Sequence, residues 1–400
     1  MLLVKLRESV LKYHSLPIPG KIAIDVFKPT TSQFNLSLAY SPGVSMAVEE
    51  IKKNEENVYK YTSKGNLIAI ITNGTAVLGM GNVGVLASKP VMEGKVALFK
   101  LFSNIDSFNI EINESCVNKF VDTVLSISST FSGINLEDIK APECFKIEEK
   151  LSKYLNIPVF HDDQHGTAVV VAAGLLNALY IQDKIIDNIK LVCFGAGAAG
   201  IATMNLLLKL GLKKENIYMI DSKGLIHTGR KDLNIYKIKF ARDCFNTIVN
   251  TVKGSDIFLG LSSGNIFTPK MLRSMSLKPI VFALSNPIPE IHPDIVNSIR
   301  NDAIIATGRS DFYNQVNNLL CFPYIFRGAL DVRAKKINSD MLIAAVHAIK
   351  ELARKPVPKS IIKAYNMIDL EFGKKYILPL PIDYRLIQFV SKSVSCAAIK

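Results

Sequence analysis

No block of five or six like charges occurs in this chain, although its 48 Lys and Arg outnumber 35 Asp and Glu and its formal charge is +13. Dispersed lysines without an aromatic-rich basic stripe do not describe a nucleic-acid surface. No apolar run reaches the ~18 residues that span a bilayer, so no membrane role is expected. The nearest candidate, Ala168 to Ile181, is shorter and contains Asn177. Lys5, Arg7 and Glu8 interrupt the N-terminus, which does not read as a secretory signal. The 6 cysteines include no C-x-x-C pair. That fits unpaired thiols in a reducing cytosol, and a cytoplasmic protein is expected. Internal repeats and low-complexity segments are missing too. What is left is a chain of 400 residues, 48% hydrophobic, with material for two or three domains. Its positive potential would help to steer an anionic substrate or cofactor.

Against these absences one motif stands out. The apolar strand Ile189 to Phe194 runs into Gly195-Ala196-Gly197-Ala198-Ala199-Gly200, and a helix opens at Ile201. In a G-x-G-x-x-G turn the first glycine, Gly195, makes the bend. The second, Gly197, lets a pyrophosphate approach, and the third, Gly200, lets helix and strand pack. The helix N-terminus offers free N–H groups to phosphate. A second strand, Ile217 to Ile220, ends at Asp221, about 20 residues on, where an acid would bind a ribose 2′-hydroxyl. A dinucleotide site follows. Asp221 favours NAD, whereas Ser222-Lys223 could hold the extra phosphate of NADP.

Gly79-Met80-Gly81-Asn82-Val83-Gly84 has the same spacing. Val85 to Pro90 is expected to break at the proline, and no acid-ended strand follows at the right offset. These glycines read as a close-packed loop near substrate. The order from Asn188 onward is strand, helix, strand, loop, helix, strand, with short apolar strands at 257–260, 280–283 and 303–306. The expected fold is α/β: a Rossmann-type doubly wound parallel sheet over 159–400 with C-terminal helices, and an N-terminal α/β substrate and metal domain over 1–158.

Two adjacent acid pairs, Glu137-Asp138 and Asp162-Asp163, point to a hard divalent cation such as Mg²⁺ or Mn²⁺. Adjacent carboxylates repel unless a cation or hydrogen bonds intervene. The plain alternative places Glu137-Asp138 in a helix first turn. His161 and His165 lie four apart, but Pro158 and Gly166 suggest a loop, so the helical zinc motif is not met. The histidines are expected to orient the acids or the loop. Lys95 lies in a largely apolar segment, where burial favours a neutral amine able to act as a base. Tyr40, before Ser41-Pro42-Gly43, could donate a proton or simply pack over the turn. Asn286 and Asn318 could bind a carboxylate or carboxamide.

The set as a whole resembles malic enzyme in its smaller bacterial form. The matching stretches are Tyr40 to Val44, Glu93-Gly94-Lys95, Asn135 to Phe145, Phe160 to Thr167, Gly195 to Gly200, Ser285-Asn286-Pro287, Asn314 to Asn318 and Phe322 to Asp331. The resemblance implies oxidative decarboxylation of (S)-malate to pyruvate and CO₂, with NAD or NADP and Mg²⁺ or Mn²⁺. It makes Glu137, Asp138 and Asp163 the metal ligands, and Lys95 the general base with Asp162 as partner. Tyr40 becomes the general acid, and Asn286 and Asn318 hold the substrate carboxylate, Asn286 lying beside the cofactor too. It implies a homodimer or higher homo-oligomer. Where larger malic enzymes carry a substrate-binding arginine, this chain has Thr75-Ala76. Many similar bacterial chains continue into a phosphotransacetylase-like domain, whereas this one ends at Lys400, in an expected helix from Leu386, as a truncated product would. The rival readings are malolactic enzyme, which retains the reduced cofactor and makes lactate, and an inactive nucleotide-binding relative.

Overall fold

Ten strands divide between two sheets in a computed structural model that describes residues 2–77, 79–243, 245–365 and 368–399. The first sheet contains β1 (Leu67–Thr72), β2 (Asp106–Glu111), β3 (Gly133–Leu136) and β4 (Val159–His161). Its order is β2-β1-β3-β4 and every pair is parallel. All six residues of β1 are buried, as expected of a strand covered on both faces. The fourth strand comes from beyond the expected boundary at 158. It pairs with β3 through Ile134 and Val159, so residues 159–161 belong to the first unit.

The helix expected to break before Pro90 does not. It runs from Gly84 to Ser103 with Pro90 inside. A proline here removes one N–H bond, to the carbonyl of Leu86. Leu86 is exposed, so water can satisfy that carbonyl. The buried face carries Met92, Lys95, Val96 and Phe99, the spacing of one helical stripe. Packing of this stripe on the sheet carries the helix through its proline and drives Lys95 inward.

The second sheet holds β5 (Leu191–Phe194), β6 (Ile217–Asp221), β7 (Gly224–Leu225), β8 (Ile257–Gly260), β9 (Ile280–Ala283) and β10 (Ile304–Thr307). Its order is β10-β9-β8-β5-β6-β7, parallel except for the short β7. The chain winds outward from β5 to β6 and then returns to β8 on the other side. The switch between β5 and β8 opens a crevice at their carboxyl ends, where such sheets take ligands.

The helix Thr167–Gln182 crosses the centre and buries twelve residues. With the turn before it, residues 162–182 are long and apolar enough to cross a membrane by length and composition, but 72% of that window is buried inside the protein. Its two buried polar residues are satisfied: the Asn177 amide donates to the carbonyls of Lys350 and Ile377 and accepts from Arg354, and Gln182 donates to the Asp302 carbonyl. Helix Ser339–Ala353 packs beside it, and helix Arg385–Ile399 packs on Ser339–Ala353 and on helix Phe322–Asp331. Lys400, the expected end of the last helix, lies outside the described residues.

Candidate functional site

The acids meet where β3 and β4 end side by side. Leu136 pairs with His161, so Glu137-Asp138 and Asp162-Asp163 leave neighbouring strand ends together. Glu137-Asp138 is therefore not a helix first turn; Asp138 has φ +53 in the connection beyond β3. Asp162 to Gly166 form one wide π-type turn into the helix Thr167–Gln182 rather than a free loop. A side chain at Gly166 would overlap the Asp162 carboxylate, which explains the glycine.

Glu137, Asp138 and Asp163 each present an oxygen within 4.8 Å of the others. Burial, with Lys95 opposing and the neighbouring acids adding, pushes Glu137 well above the usual carboxylate range. Burial and then Asp163 push Asp138 up to about 8. Asp138 also keeps a buried carboxylate oxygen without a hydrogen-bond partner. Three crowded oxygens, one of them unpartnered, fit a hard divalent cation, which would relieve the repulsion. No histidine joins the cluster. The His161 ring lies 3.7 Å from Asp163, and His165 pairs with Glu148 at 2.8 Å.

Lys95 sits against this triad. Its Nζ donates to Asp162 Oδ2 at 2.5 Å and Glu137 Oε1 at 2.9 Å, and lies 3.8 Å from the centre of the Phe322 ring. The expectation that burial would leave the amine neutral is overturned. Burial does oppose the charge, but Asp162 and Glu137 outweigh it and hold Lys95 above its usual range as an ammonium. The Asn318 amide donates to Asp162 Oδ2 at 3.1 Å and accepts from Thr167 at 3.2 Å. Asn286 follows β9, in an exposed loop. A side chain at Gly79 would meet its carbonyl oxygen at 2.7 Å, so that end of the glycine loop after β1 lies against it. Gly81 and Gly84 have open space around them, however, and the loop is not the close-packed one expected. Tyr40 is not hydrogen-bonded to any of these groups; it is 80% exposed, at the end of helix Gln33–Ala39.

The nucleotide motif lines a separate cavity of about 530 Å³ with Gly195, Gly197, Asp221, Ser222, Lys237 and Ser262. Asp221 is already paired with two cations. Arg230 grips both its oxygens, at 2.8 and 3.0 Å, and Lys237 adds a third cationic contact at 2.7 Å. Burial would raise this acid, but those bonds hold it down at about 2. Its charge is balanced inside the protein by Arg230 and Lys237, while the residue still lines the cavity. Arg230 and Lys237 were invisible in the sequence because the loop that returns them to β6 has no periodicity.

Glu290 was missed for a similar reason. It is fully buried; one oxygen accepts from the Ser262 N–H and the other from the Ser285 N–H, both at 3.0 Å. It thereby ties the nucleotide loop after β8 to the Asn286 loop after β9. The only signal in the sequence is an acid inside the apolar, proline-rich run Pro287 to Ile291. Glu290→Gln would turn an amide N–H₂ toward a backbone donor, a mismatch of about 1–3 kcal/mol. The dinucleotide Kd should rise and the Tm fall. A fluorescence titration with reduced cofactor checks this, and an unchanged Kd would remove Glu290 from the site.

Comparison with known proteins identifies the family. Residues 164–365 match the family described as malic enzyme, NAD binding domain, and residues 19–119 and 113–152 match malic enzyme, N-terminal domain. The chain belongs to the malic enzyme family. It is 55% identical over 394 residues to the NADP-dependent malic enzyme of Halomonas elongata, covering 98% of this chain and 93% of that one. It is 52% identical to the NADP-dependent malic enzyme of Escherichia coli, covering 99% of this chain but only 53% of that relative, so it spans about half of that longer protein. The crystal structure of malic enzyme from Pyrococcus horikoshii superimposes with a TM-score of 0.89 at 41% identity, covering 98% of this chain and 90% of that one.

Proposed function

We propose that this malic enzyme family member oxidatively decarboxylates (S)-malate to pyruvate and CO₂ with NADP⁺ and a divalent cation. The observation that carries this reading is the Lys95–Asp162–Glu137 contact set, built onto three cation-ready carboxylates beside a dinucleotide cavity.

Glu137, Asp138 and Asp163 would hold the cation, which supplies Lewis acidity at the substrate C2 oxygen and competes with Lys95 for the charge of Glu137. Gly195 to Gly200 would hold the pyrophosphate of the dinucleotide, which when bound would supply the acceptor for the hydride from C2. Lys95 first passes its own proton to Asp162, its partner at 2.5 Å, and the neutral Nζ then takes the hydroxyl proton of malate. Asn286 and Asn318 orient the substrate carboxylate through their amides; substrate would compete with Asp162 for the Asn318 N–H. Loss of CO₂ from the resulting β-keto acid leaves an enolate, and Tyr40 returns a proton to its C3. Tyr40 is 80% exposed, and Phe27, Phe34 and Met46 in the same N-terminal stretch are exposed too. A second copy of the chain would cover this stretch and give the tyrosine its final position.

NADP⁺ is preferred over NAD⁺ in this reading because Asp221 is neutralised from both sides. Lys223, Arg230 and Lys237 against Asp221 and Asp232 leave the ribose end of the cavity positive. Lys237→Glu should weaken NADP⁺ far more than NAD⁺, by about 10–100-fold for a lost charge-assisted bond of ~1.5–3 kcal/mol. Equal losses for both cofactors would refute the assignment. The function as a whole is tested by turnover of malate with Mn²⁺, NAD⁺ and NADP⁺ side by side, with and without EDTA. Pyruvate and an EDTA-sensitive rate are expected; lactate as product would mean malolactic chemistry, and full activity in excess chelator would refute the cation.

A further inference from the structure

A second cavity, of about 500 Å³, lies between helices Glu143–Tyr154 and Ala198–Lys209. That volume suits a small-molecule ligand. Its walls are apolar, with Phe145, Phe160, Ile201, Leu206, Ile337 and Leu342. Tyr236 adds a buried hydroxyl without a partner, while the polar groups nearest the metal turn are already engaged. Glu148 accepts from the His161 N–H at 3.1 Å and the Gln164 amide at 3.0 Å, and pairs with His165. The rim differs. Lys209 bonds only to the Ser339 hydroxyl, and among the described residues neither Lys209 nor Lys336 forms an ion pair. Glu149 contributes one unpaired carboxylate, so the rim keeps a net positive charge. A ligand with an apolar body and one anionic head matches that distribution.

The floor of this cavity is the back of the metal turn. Within residues 162–166, Asp162 contacts Lys95 and Asp163 joins the acid triad, while Gln164 and His165 line the cavity. Glu148 holds that turn from the cavity side. We propose that this cavity is an effector site for an amphipathic carboxylate, whose occupancy shifts the turn and changes cation affinity at Glu137, Asp138 and Asp163. The coupling rests on the metal reading above; the cavity itself does not.

Decanoate is the probe, with decanol lacking the charge and acetate lacking the apolar body. Calorimetry on the full chain should show saturable decanoate binding below its micelle concentration, with decanol and acetate much weaker. Leu342→Trp fills the cavity and Lys336→Glu reverses one rim charge. Both should abolish decanoate binding while leaving malate turnover unchanged. The Mn²⁺ Kd, read without turnover by electron paramagnetic resonance, should change by ~5-fold or more at saturating decanoate, and Mn²⁺ should shift the decanoate Kd by the same factor. Absent binding, or wild-type binding by Leu342→Trp, overturns the site. Decanoate binding with an unmoved Mn²⁺ Kd overturns the coupling. If Mn²⁺ itself fails to bind, the metal reading falls and the coupling with it, while the decanoate titrations still decide the cavity.

Discussion

Lys95→Ala is expected to slow malate oxidation by ~10²–10⁴-fold, the usual value of a positioned proton transfer. The ammonium lies within 2.5 Å of Asp162 and 2.9 Å of Glu137, and no second basic side chain contacts either carboxylate among the described residues. Removing it also strands two buried acids without their counter-charge, so the variant should lose stability as well. The two losses separate by measuring the single-turnover rate of cofactor reduction well below the melting temperature. Lys95→Arg is the second control. It keeps the charge and should restore the Tm, but a guanidinium does not deprotonate, so the rate should stay low. A near wild-type rate in either variant would shift the base to Asp162.

Gly197→Val should leave the fold intact and abolish dinucleotide binding. No atom lies within 4 Å of where a Cβ at Gly197 would sit. The space is open in the protein and kept for the pyrophosphate. The other two glycines of the motif differ. A side chain at Gly195 would overlap the Leu261 carbonyl at φ +118, and one at Gly200 would overlap the Gly195 carbonyl. Gly195→Ala and Gly200→Ala should therefore lower the melting temperature, whereas Gly197→Val should not. Thermal melts and titration with reduced cofactor, run on all three, test the division. Tight cofactor binding by folded Gly197→Val would remove the motif from the site.

The parts of this protein that were legible in sequence are those whose cause is local. Strands 257–260 and 280–283 stand where their apolar runs placed them, because a strand buried on both faces needs little beyond its own residues. The strand–glycine–helix unit at 191–209 was readable for the same reason. What escaped depends on neighbours remote in sequence. Pro90 was read as a helix end, but burial of Met92, Lys95 and Phe99 outweighs one missing hydrogen bond. Lys95 was read as neutral because its apolar segment was visible and its partners, 42 and 67 residues away, were not. Asp221 was read from its offset alone, while the Arg230 and Lys237 that occupy it arrive through an irregular loop. The acid pairs were visible as pairs; that they meet needed the register of β3 and β4.

Helices Gln33–Ala39 and Val44–Lys53 bury no residue of their own, and Tyr40 stands between them. Helices of 7 and 10 residues are below the ~12–15 at which isolated helices become even marginally stable in water. If a second copy of the chain covers them, as proposed above, their order and the placement of the tyrosine depend on mass action. Enzyme concentration then becomes a variable of the assay. Specific activity should fall as the protein is diluted, with the decarboxylation product failing to tautomerise before hydride transfer is affected, and it should recover on reconcentration.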